Sequence, residues 1–431
     1  MKFSNYLTMF ETSQCMILYS TLRRCAIKIY DTDIKEVIRS LKTGETIDES
    51  YLTKYSDFFE DLKENNFIME DICDESELVN YLYQTSVSKD ASLELILIPT
   101  RQCNFRCPYC YEEHEAKVMS EEVYSNILSF IKKYLEYRSI KKIRISWFGG
   151  EPLLEHKKII DFMKTLKSLV EDNCCIEGSM TTNGYLLNEV LFNDLVSCNV
   201  KSYQITVDGL KEFHNKTRYL LDGHGTWDKI MKNLSKAKKT PHDFRILIRT
   251  NYTEESLSKY LEWLNILKES FGDDKRFAFY CETVKNLGGN NTEYAYNNKK
   301  PNPIGYVLSD MKNLNLNSSG YEYLTNNFGY ICYASRQNSF VIDYDGSLKK
   351  CTILLDNDKN IVGNISNQMD NIDFKKMAWW TSYNHKEACR SCYIYPICYG
   401  KKCPASYFSE DSCRLFKEYQ LGVIRSVVQE M

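Results

Sequence analysis

Cys103, Cys107 and Cys110 stand within eight residues in the stretch RQCNFRCPYCYEE, and no fourth cysteine lies beside them. This spacing, CxxxCxxC, matches neither the bacterial ferredoxin run, which carries a fourth cysteine, nor zinc ribbons built from paired CxxC elements. Three thiolates hold three irons of a four-iron cluster and leave the last iron open. An open iron binds a small molecule directly, whereas a fully ligated cluster mainly passes electrons. A second thiol field follows, Cys332, Cys351, Cys389, Cys392, Cys398, Cys403 and Cys413, with Gly346 between the first two. Dense thiols in a reducing compartment mean metal, either iron–sulfur clusters or a pair of zinc sites. The other seven of the seventeen cysteines, Cys15, Cys25, Cys73, Cys174, Cys175, Cys198 and Cys281, are scattered and read as small buried hydrophobes.

The elements that must position the first triad alternate from residue 93 onward. LELILIPT, KIRISWF, IEGSMTT, KSYQITV, FRILIRT and RFAFYCE read as strands, and amphipathic helices separate them, the first opened by Ser120 as N-cap. Strands joined by helices pair in parallel, because each helix is the crossover that parallel neighbours require. The expectation is an α/β fold, a partial (β/α)6 TIM-like barrel over residues 91–283, with its chemistry at the carboxyl ends of the strands. The three cysteines fall just past the end of the first strand. Residues 1–90 read as a small, independent α+β, winged-helix-like unit, with strands at CMILY, AIKIY and FIME and helices at DTDIKEVIRSL, DESYLTKYSDFFEDLKEN and ESELVNYLYQ. Residues 284–325, opening with NLGGNNTEYAYNNKKPNP, read as a linker, and 326–431 as a cysteine-rich domain closed by a terminal helix.

The 431 residues exceed what one core of about 250 to 300 residues holds, so several domains are expected. Lys and Arg total 55 against 58 Asp and Glu, a net charge of −3 that gives no reason to expect nucleic acid or an anionic membrane as partner. No apolar run of roughly 18 residues occurs. The start MKFSNYLTMFETSQ lacks the parts of a secretory signal, and a cytoplasmic protein is expected.

CNFRCPYC resembles the cluster motif of the radical S-adenosylmethionine (SAM) superfamily, and WFGGEP, one β/α unit later, resembles its glycine-rich element. The resemblance implies a [4Fe–4S] cluster on Cys103, Cys107 and Cys110 whose open iron chelates SAM, and a 5′-deoxyadenosyl radical that takes hydrogen from an unactivated carbon. It implies that Gly149 and Gly150 let the backbone approach SAM and that Glu151 and Pro152 shape the pocket for its amino group. Thr206, in ITVDG, is carried over for the carboxylate. Asn183, in TTNG, and Arg218, in HNKTR, are carried over for ribose and carboxylate contacts, and Tyr109 for covering the adenine. Asn183 with Gly184 also reads as an ordinary tight turn, and Tyr109 as packing.

The second thiol field resembles the SPASM extension, which implies two auxiliary [4Fe–4S] clusters and three clusters in all. By that resemblance Cys389, Cys392, Cys398 and Cys413 hold the outer cluster, and Cys332, Cys351 and Cys403 the inner one. Relatives with a complete inner set carry a further cysteine where this chain has Asn326, so the inner cluster is expected to keep an open iron unless Cys281 comes round as a ligand. Four residues rather than three separate Cys398 from Cys403. SPASM proteins of this kind resemble maturases of ribosomally made peptides, which implies a precursor peptide bound through its leader by residues 1–90 and a flavodoxin- or ferredoxin-type reductant. The expected reaction is an intramolecular crosslink, a thioether or a carbon–carbon bond. Formylglycine formation by an anaerobic sulfatase maturase, and a non-catalytic electron-passing adapter, stand as alternatives. No side chain stands out as general base.

Overall fold

The computed structural model describes residues 2–43, 49–69, 74–88, 91–170, 174–285, 287, 292–296, 303–321, 324, 331–366, 372–381, 387–400 and 410–428. Cys73, Asn326 and Cys403 lie outside these residues. The chain divides into two compact units, one of Met1–Lys89, Gly320–Ile331 and Tyr383–Met431, the other of Asp90–Ser319 and Cys332–Ser382. This division runs through the 326–431 stretch that the sequence reading takes as one domain.

In the first unit β1 (Lys2–Phe3) pairs with β5 (Ile68–Met69), and β2 (Leu7–Glu11), β3 (Met16–Ser20) and β4 (Cys25–Ile29) form an antiparallel sheet in that order. Helices α1 (Thr32–Thr43), α2 (Glu49–Lys54), α3 (Ser56–Glu64) and α4 (Glu75–Ser88) accompany it. Met16, Leu18 and Ile29 from the sheet meet Val37 and Ile38 of α1 and Phe59 and Leu62 of α3 in one core. The long helix expected over 48–65 breaks at Tyr55, whose φ of −116° and ψ of 33° leave the helical region. A second core joins Tyr6, Leu22, Val79 and Tyr83 to Tyr395 and Tyr399, with Cys389 and Cys392 packed against it. Arg24 donates to the Pro396 carbonyl at 2.6 Å, and the Tyr6 hydroxyl to that of Arg390 at 2.8 Å. Residues 1–89 therefore close one core on themselves and complete the second with side chains from 387–400.

The second unit is built on a nine-stranded sheet. Strands β6 (Ser92–Leu97), β7 (Lys142–Trp147), β8 (Cys175–Thr182), β9 (Val200–Thr206), β10 (Arg245–Tyr252) and β11 (Phe277–Thr283) are all parallel and neighbour one another in chain order. The crossovers carry α5 (Glu121–Tyr137), α6 (His156–Leu169), α7 (Glu189–Ser197), α8 (Lys211–Thr217), α9 (Trp227–Lys238), α10 (Glu254–Leu257) and α11 (Tyr260–Phe271). Ser120 caps α5, its side chain accepting from the Val123 amide. Along β7, Ile143, Ile145 and Trp147 are buried toward the helices, and Trp147 meets Phe162 of α6 edge-on at 5.5 Å. Each such large side chain contributes about 1.5–3 kcal/mol on burial, so the outer face holds the barrel together. The inner face is polar: Arg144 donates to Ser92 at 2.8 Å and Ser146 meets Ser179 at 2.7 Å.

Residues 284–325, expected as a linker, contain a further helix, α12 (Ile304–Asn313), whose Ile304, Val307, Leu308 and Met311 are buried. After it, β12 (Ser339–Ile342) pairs in parallel with β6, and β13 (Ser347–Lys349) and β14 (Ile361–Asn364) follow antiparallel; α13 (Phe374–Thr381) closes the unit. The segment from Cys332 to Cys351 thus extends the barrel sheet beyond its first strand.

Candidate functional site

The loop after β6 carries Cys103, Cys107 and Cys110, and its shape comes from neighbours that hold its backbone. Phe105 is fully buried and bridges Leu220, the Arg106 amide donates to the Tyr219 carbonyl at 2.9 Å, and the Leu221 amide to that of Asn104 at 3.1 Å. The three thiols stay partly accessible. Burial pushes the Cys103 and Cys110 thiols up to about 12 and raises that of Cys107. Taking up a metal at such a site releases protons. The Phe105 amide donates to Cys103 Sγ at 3.4 Å, and Asn183 Nδ2 stands 4.0 Å from the same sulfur. Donors aimed at a sulfur suit a thiolate ligand.

The strand ends that follow lock onto this loop. A Cβ on Gly150 would stand 2.2 Å from the Gln102 carbonyl oxygen, and one on Gly149, at φ +112°, 2.7 Å from that of Thr100. These glycines therefore serve close approach to the cysteine loop itself. Glu151 is fully buried and accepts from the Thr182 hydroxyl at 2.6 Å, the Asn183 amide at 2.7 Å and the Leu153 amide at 3.0 Å. Burial raises its carboxyl despite those three donors. Pro152 opens the short 3-10 turn that follows. Asn183 in turn donates to the Asn104 side chain at 2.8 Å, joining the third strand end to the cysteine loop.

Tyr109 and Arg218 meet directly: Nη1 of the guanidinium donates to the phenol at 2.9 Å, and the phenol donates to Asp208. Arg218 also lies over the Phe105 ring at 5.7 Å, and its Nε is buried with no partner among the described residues. An anionic group such as a carboxylate would satisfy that orphan. Thr206 ends β9 and is buried. Sequence reasoning passed over Asp208, which also accepts from Thr217 and from the Asn251 amide at 3.1 Å, and over Asn251 itself. Both line a cavity of about 640 Å³ with Phe213, Thr217, Ser256 and Tyr294, within the size range of small-molecule sites. It also passed over Glu112, whose Oε2 is buried without a partner among the described residues and whose carboxyl burial pushes up to about 7, against the pull of Arg101.

Cys332 and Cys351 belong to the same unit as the barrel. The Tyr333 hydroxyl meets that of Thr352 at 2.8 Å, tying the turn after Cys332 to the loop after Cys351. Fully buried Asn360 fixes that loop, accepting from the Lys350 and Cys351 amides at 2.9 Å and donating to the Cys351 and Leu354 carbonyls. Cys389, Cys392, Cys398 and Cys413 belong to the other unit, where burial, and then the nearby thiols of Cys392, Cys389 and Cys413, push Cys398 up to about 12. Cys281 faces the helices, its Sγ 3.6 Å from Met311 Sδ on α12 and 3.9 Å from the Tyr252 hydroxyl.

The Radical SAM superfamily model matches residues 97–270. GTP 3′,8-cyclase of Clostridium perfringens (strain 13 / Type A) is 30% identical over 275 residues, which cover 58% of this chain and 78% of that protein. The chain belongs to the radical SAM superfamily. Enzymes of this superfamily use SAM and a [4Fe–4S] cluster. Among solved structures, native anSMEcpe with bound AdoMet and Kp18Cys peptide aligns with 79% of this radical SAM chain and 100% of its own, at TM-score 0.63 and 23% identity. SuiB of Streptococcus suis bound to precursor peptide SuiA aligns with 96% of this chain and 99% of its own, at TM-score 0.51 and 16% identity. The partial barrel expected from the alternation of strands and helices is the fold these neighbours share. Among the described residues no helix is long and apolar enough to cross a membrane.

Proposed function

We propose that this radical SAM enzyme is a maturase that installs an intramolecular crosslink, a thioether or a carbon–carbon bond, in a ribosomally made precursor peptide. The observation that carries the reading is the reach of the fold likeness: SuiB, solved with its precursor peptide, aligns over 96% of this chain, whereas the alignment with the cyclase relative covers 58% of it. In that unit β4 pairs on one side only among the described residues, and β4 and α3 contribute to one core. A leader strand adding to such an edge gains main-chain hydrogen bonds. Tethering then raises the effective concentration of the peptide's core segment.

When bound, SAM and its cluster supply a 5′-deoxyadenosyl radical able to take hydrogen from an unactivated carbon. In this reading Cys103, Cys107 and Cys110 hold that cluster, Arg218 with Thr206 receives the SAM carboxylate, and Tyr109, fixed by Asp208 and Arg218, covers the adenine. Glu151 holds the GGEP and TTNG turns at the spacing the pocket needs. Cys389, Cys392, Cys398 and Cys413 would hold one auxiliary cluster, and Cys332, Cys351 and Cys403 the other. The contact of Cys281 with Met311 of α12 supports a set of three there, which favours a thioether. A flavodoxin- or ferredoxin-type reductant and a cytoplasmic setting fit this chemistry.

The second reading is nucleotide cyclisation, favoured by the 30% identity to a GTP 3′,8-cyclase. It leaves the part of the chain outside that alignment without a task. The test is anaerobic incubation of the reconstituted protein with SAM, a strong reductant and, in separate arms, each short peptide encoded beside its gene, a cysteine-containing sulfatase peptide, and GTP. Release of 5′-deoxyadenosine with a gene-neighbour peptide two hydrogens lighter is expected. Consumption of GTP, or formylglycine in the sulfatase peptide, with the neighbour peptides unchanged would overturn the proposal.

A further inference from the structure

Arg101 stands two residues before Cys103, yet its side chain turns away from the cysteines. It is only 3% exposed and ends on the hairpin that leads to Cys351. Nε donates to Asp343 Oδ1 at 3.0 Å, and Nη2 donates both to Asp343 Oδ2 at 2.5 Å and to Asp356 Oδ1 at 3.1 Å. Asp343, 1% exposed, also accepts from Lys349 Nζ at 2.5 Å. Lys349 reaches on to the Leu355 carbonyl at 2.6 Å. Two cations thus face two carboxylates, and only Asp356 reaches solvent.

Each partner is set where it stands by its own backbone. The Arg101 amide donates to the Lys117 carbonyl at 3.0 Å, and the Arg101 carbonyl lies 2.7 Å from where a Cβ on Gly150 would be. Asp343 closes the turn between β12 and β13, its carbonyl accepting from the Gly346 amide at 2.9 Å, and Gly346 supplies the φ of +80° that the turn needs. Burial alone would raise the Asp343 carboxyl, but hydrogen bonds from Arg101 and Lys349 hold it below the usual carboxylate range.

Stability does not account for this arrangement. Taking paired charges out of water costs about as much as their attraction returns, and apolar side chains of similar volume often replace a buried ion pair at no loss. What apolar packing cannot reproduce is direction. A bidentate fork fixes both the distance and the angle between the groups it joins.

We propose that Arg101 is a positioning residue: by gripping Asp343 and Asp356 together, its fork sets the SAM-cluster loop at one fixed placement against the hairpin that ends in Cys351. Sequence offers no sign of this, since Arg101 and Asp343 lie 242 residues apart. The inference rests on the family assignment and not on the peptide reading.

Two variants test it. Arg101→Lys keeps the charge but has one ammonium group where the fork spans two carboxylates. The triple variant Arg101→Met, Asp343→Asn, Lys349→Met removes the charges of the knot while keeping an acceptor for the Tyr344 amide, which donates to Asp343 Oδ1 at 2.9 Å, and is expected to melt like the wild type. In both, iron content is expected to stay at the wild-type value, while the change that SAM induces in the electron paramagnetic resonance spectrum of the reduced cluster is altered. Peptide-free release of 5′-deoxyadenosine is expected to fall by on the order of tenfold to a hundredfold, the cost of a small misplacement of reacting groups. If either variant carries full iron and returns the wild-type SAM-induced spectrum and release rate, Arg101 is only a structural ion pair and the proposal fails. Neither readout uses a peptide, so that result would leave the maturase reading as it stands.

Discussion

The Thr182 hydroxyl donates to Glu151 Oε1 at 2.6 Å, although the two residues are 31 positions apart and belong to different strand ends. With the Asn183 amide on Oε2 at 2.7 Å, this carboxylate makes one rigid body of the GGEP and TTNG turns. Glu151→Gln keeps the size but sets an NH2 group against one of those donors. The expected loss is about 1–3 kcal/mol of unfolding free energy, read from denaturant unfolding of the anaerobic protein. Equilibrium dialysis should show SAM affinity weakened about tenfold, equivalent to about 1.4 kcal/mol. Unchanged affinity would mean that the clamp does not shape the pocket.

Gly150 and Gly209 make a matched pair for separating steric approach from backbone freedom. A Cβ on Gly150 meets the Gln102 carbonyl oxygen at 2.2 Å, whereas Gly209, at φ +92°, has nothing within 4 Å. Gly150→Ala must push the cysteine loop outward, at an expected cost of about 3 kcal/mol, and iron analysis should find roughly four fewer irons per chain. Gly209→Ala pays only the left-handed backbone penalty of about 1–2 kcal/mol and should keep its iron. Equal iron in the two variants would refute the steric account.

His214 is buried, and burial, followed by the charge of Arg218, holds its imidazole well below the ordinary value of 6.5. Its Nδ1 accepts from the Asp208 amide at 3.1 Å, so Nε2 carries the proton and donates to Thr226, whose hydroxyl donates to the Arg218 carbonyl at 2.6 Å. The folded pKa lies below the unfolded one, so stability is fully present above the unfolded value and drains away as pH falls toward the folded value. Thermal midpoints of the wild type should drop between about pH 7.5 and about pH 5.5. His214→Asn keeps an acceptor for the Asp208 amide but cannot titrate. It should be less stable at neutral pH by about 1–2 kcal/mol and show a flatter profile. Parallel profiles for the two proteins would remove His214 as the source.

What the sequence made legible depended on how local the signal was. Apolar runs bounded by helical periods marked all six barrel strands within three residues at either end, because each strand buries one face against its own crossover helices. The thiol triad and the GGEP turn were readable as short motifs. Asp208 and Arg101 were not, since each acquires meaning from a partner about a hundred or more positions away: Asp208 from Tyr109, Arg101 from Asp343. Helix α12 escaped for a different reason. Its apolar positions Ile304, Val307, Leu308 and Met311 repeat at helical spacing, but the Asn-, Gly- and Pro-rich run before them suggested a linker. The unity of residues 1–89 with 387–400 was illegible too, because Tyr395 and Tyr399 sit among cysteines and look like part of a metal-binding segment alone.

That shared core sets the outcome of removing residues 1–89, the natural construction for testing a leader-binding role. Deletion would uncover Tyr395 and Tyr399 and leave the carbonyls of Arg390 and Pro396 without the donors Tyr6 and Arg24. Exposing two large aromatic side chains forfeits about 1.5–3 kcal/mol each, and the stretch between Cys389 and Cys398 loses the surface that shapes it. The truncated chain is expected to be poorly soluble, and iron analysis should find roughly four irons fewer than in the full chain, the share attributed to Cys389, Cys392, Cys398 and Cys413. A soluble truncated protein with full iron would show that the thiol segment holds its shape alone. Loss of peptide modification on truncation would therefore not by itself locate the leader. A charge reversal on the other face of β4 in the full chain, as in Lys28→Glu, is a cleaner probe, expected to weaken binding of a fluorescent leader peptide while iron content stays constant.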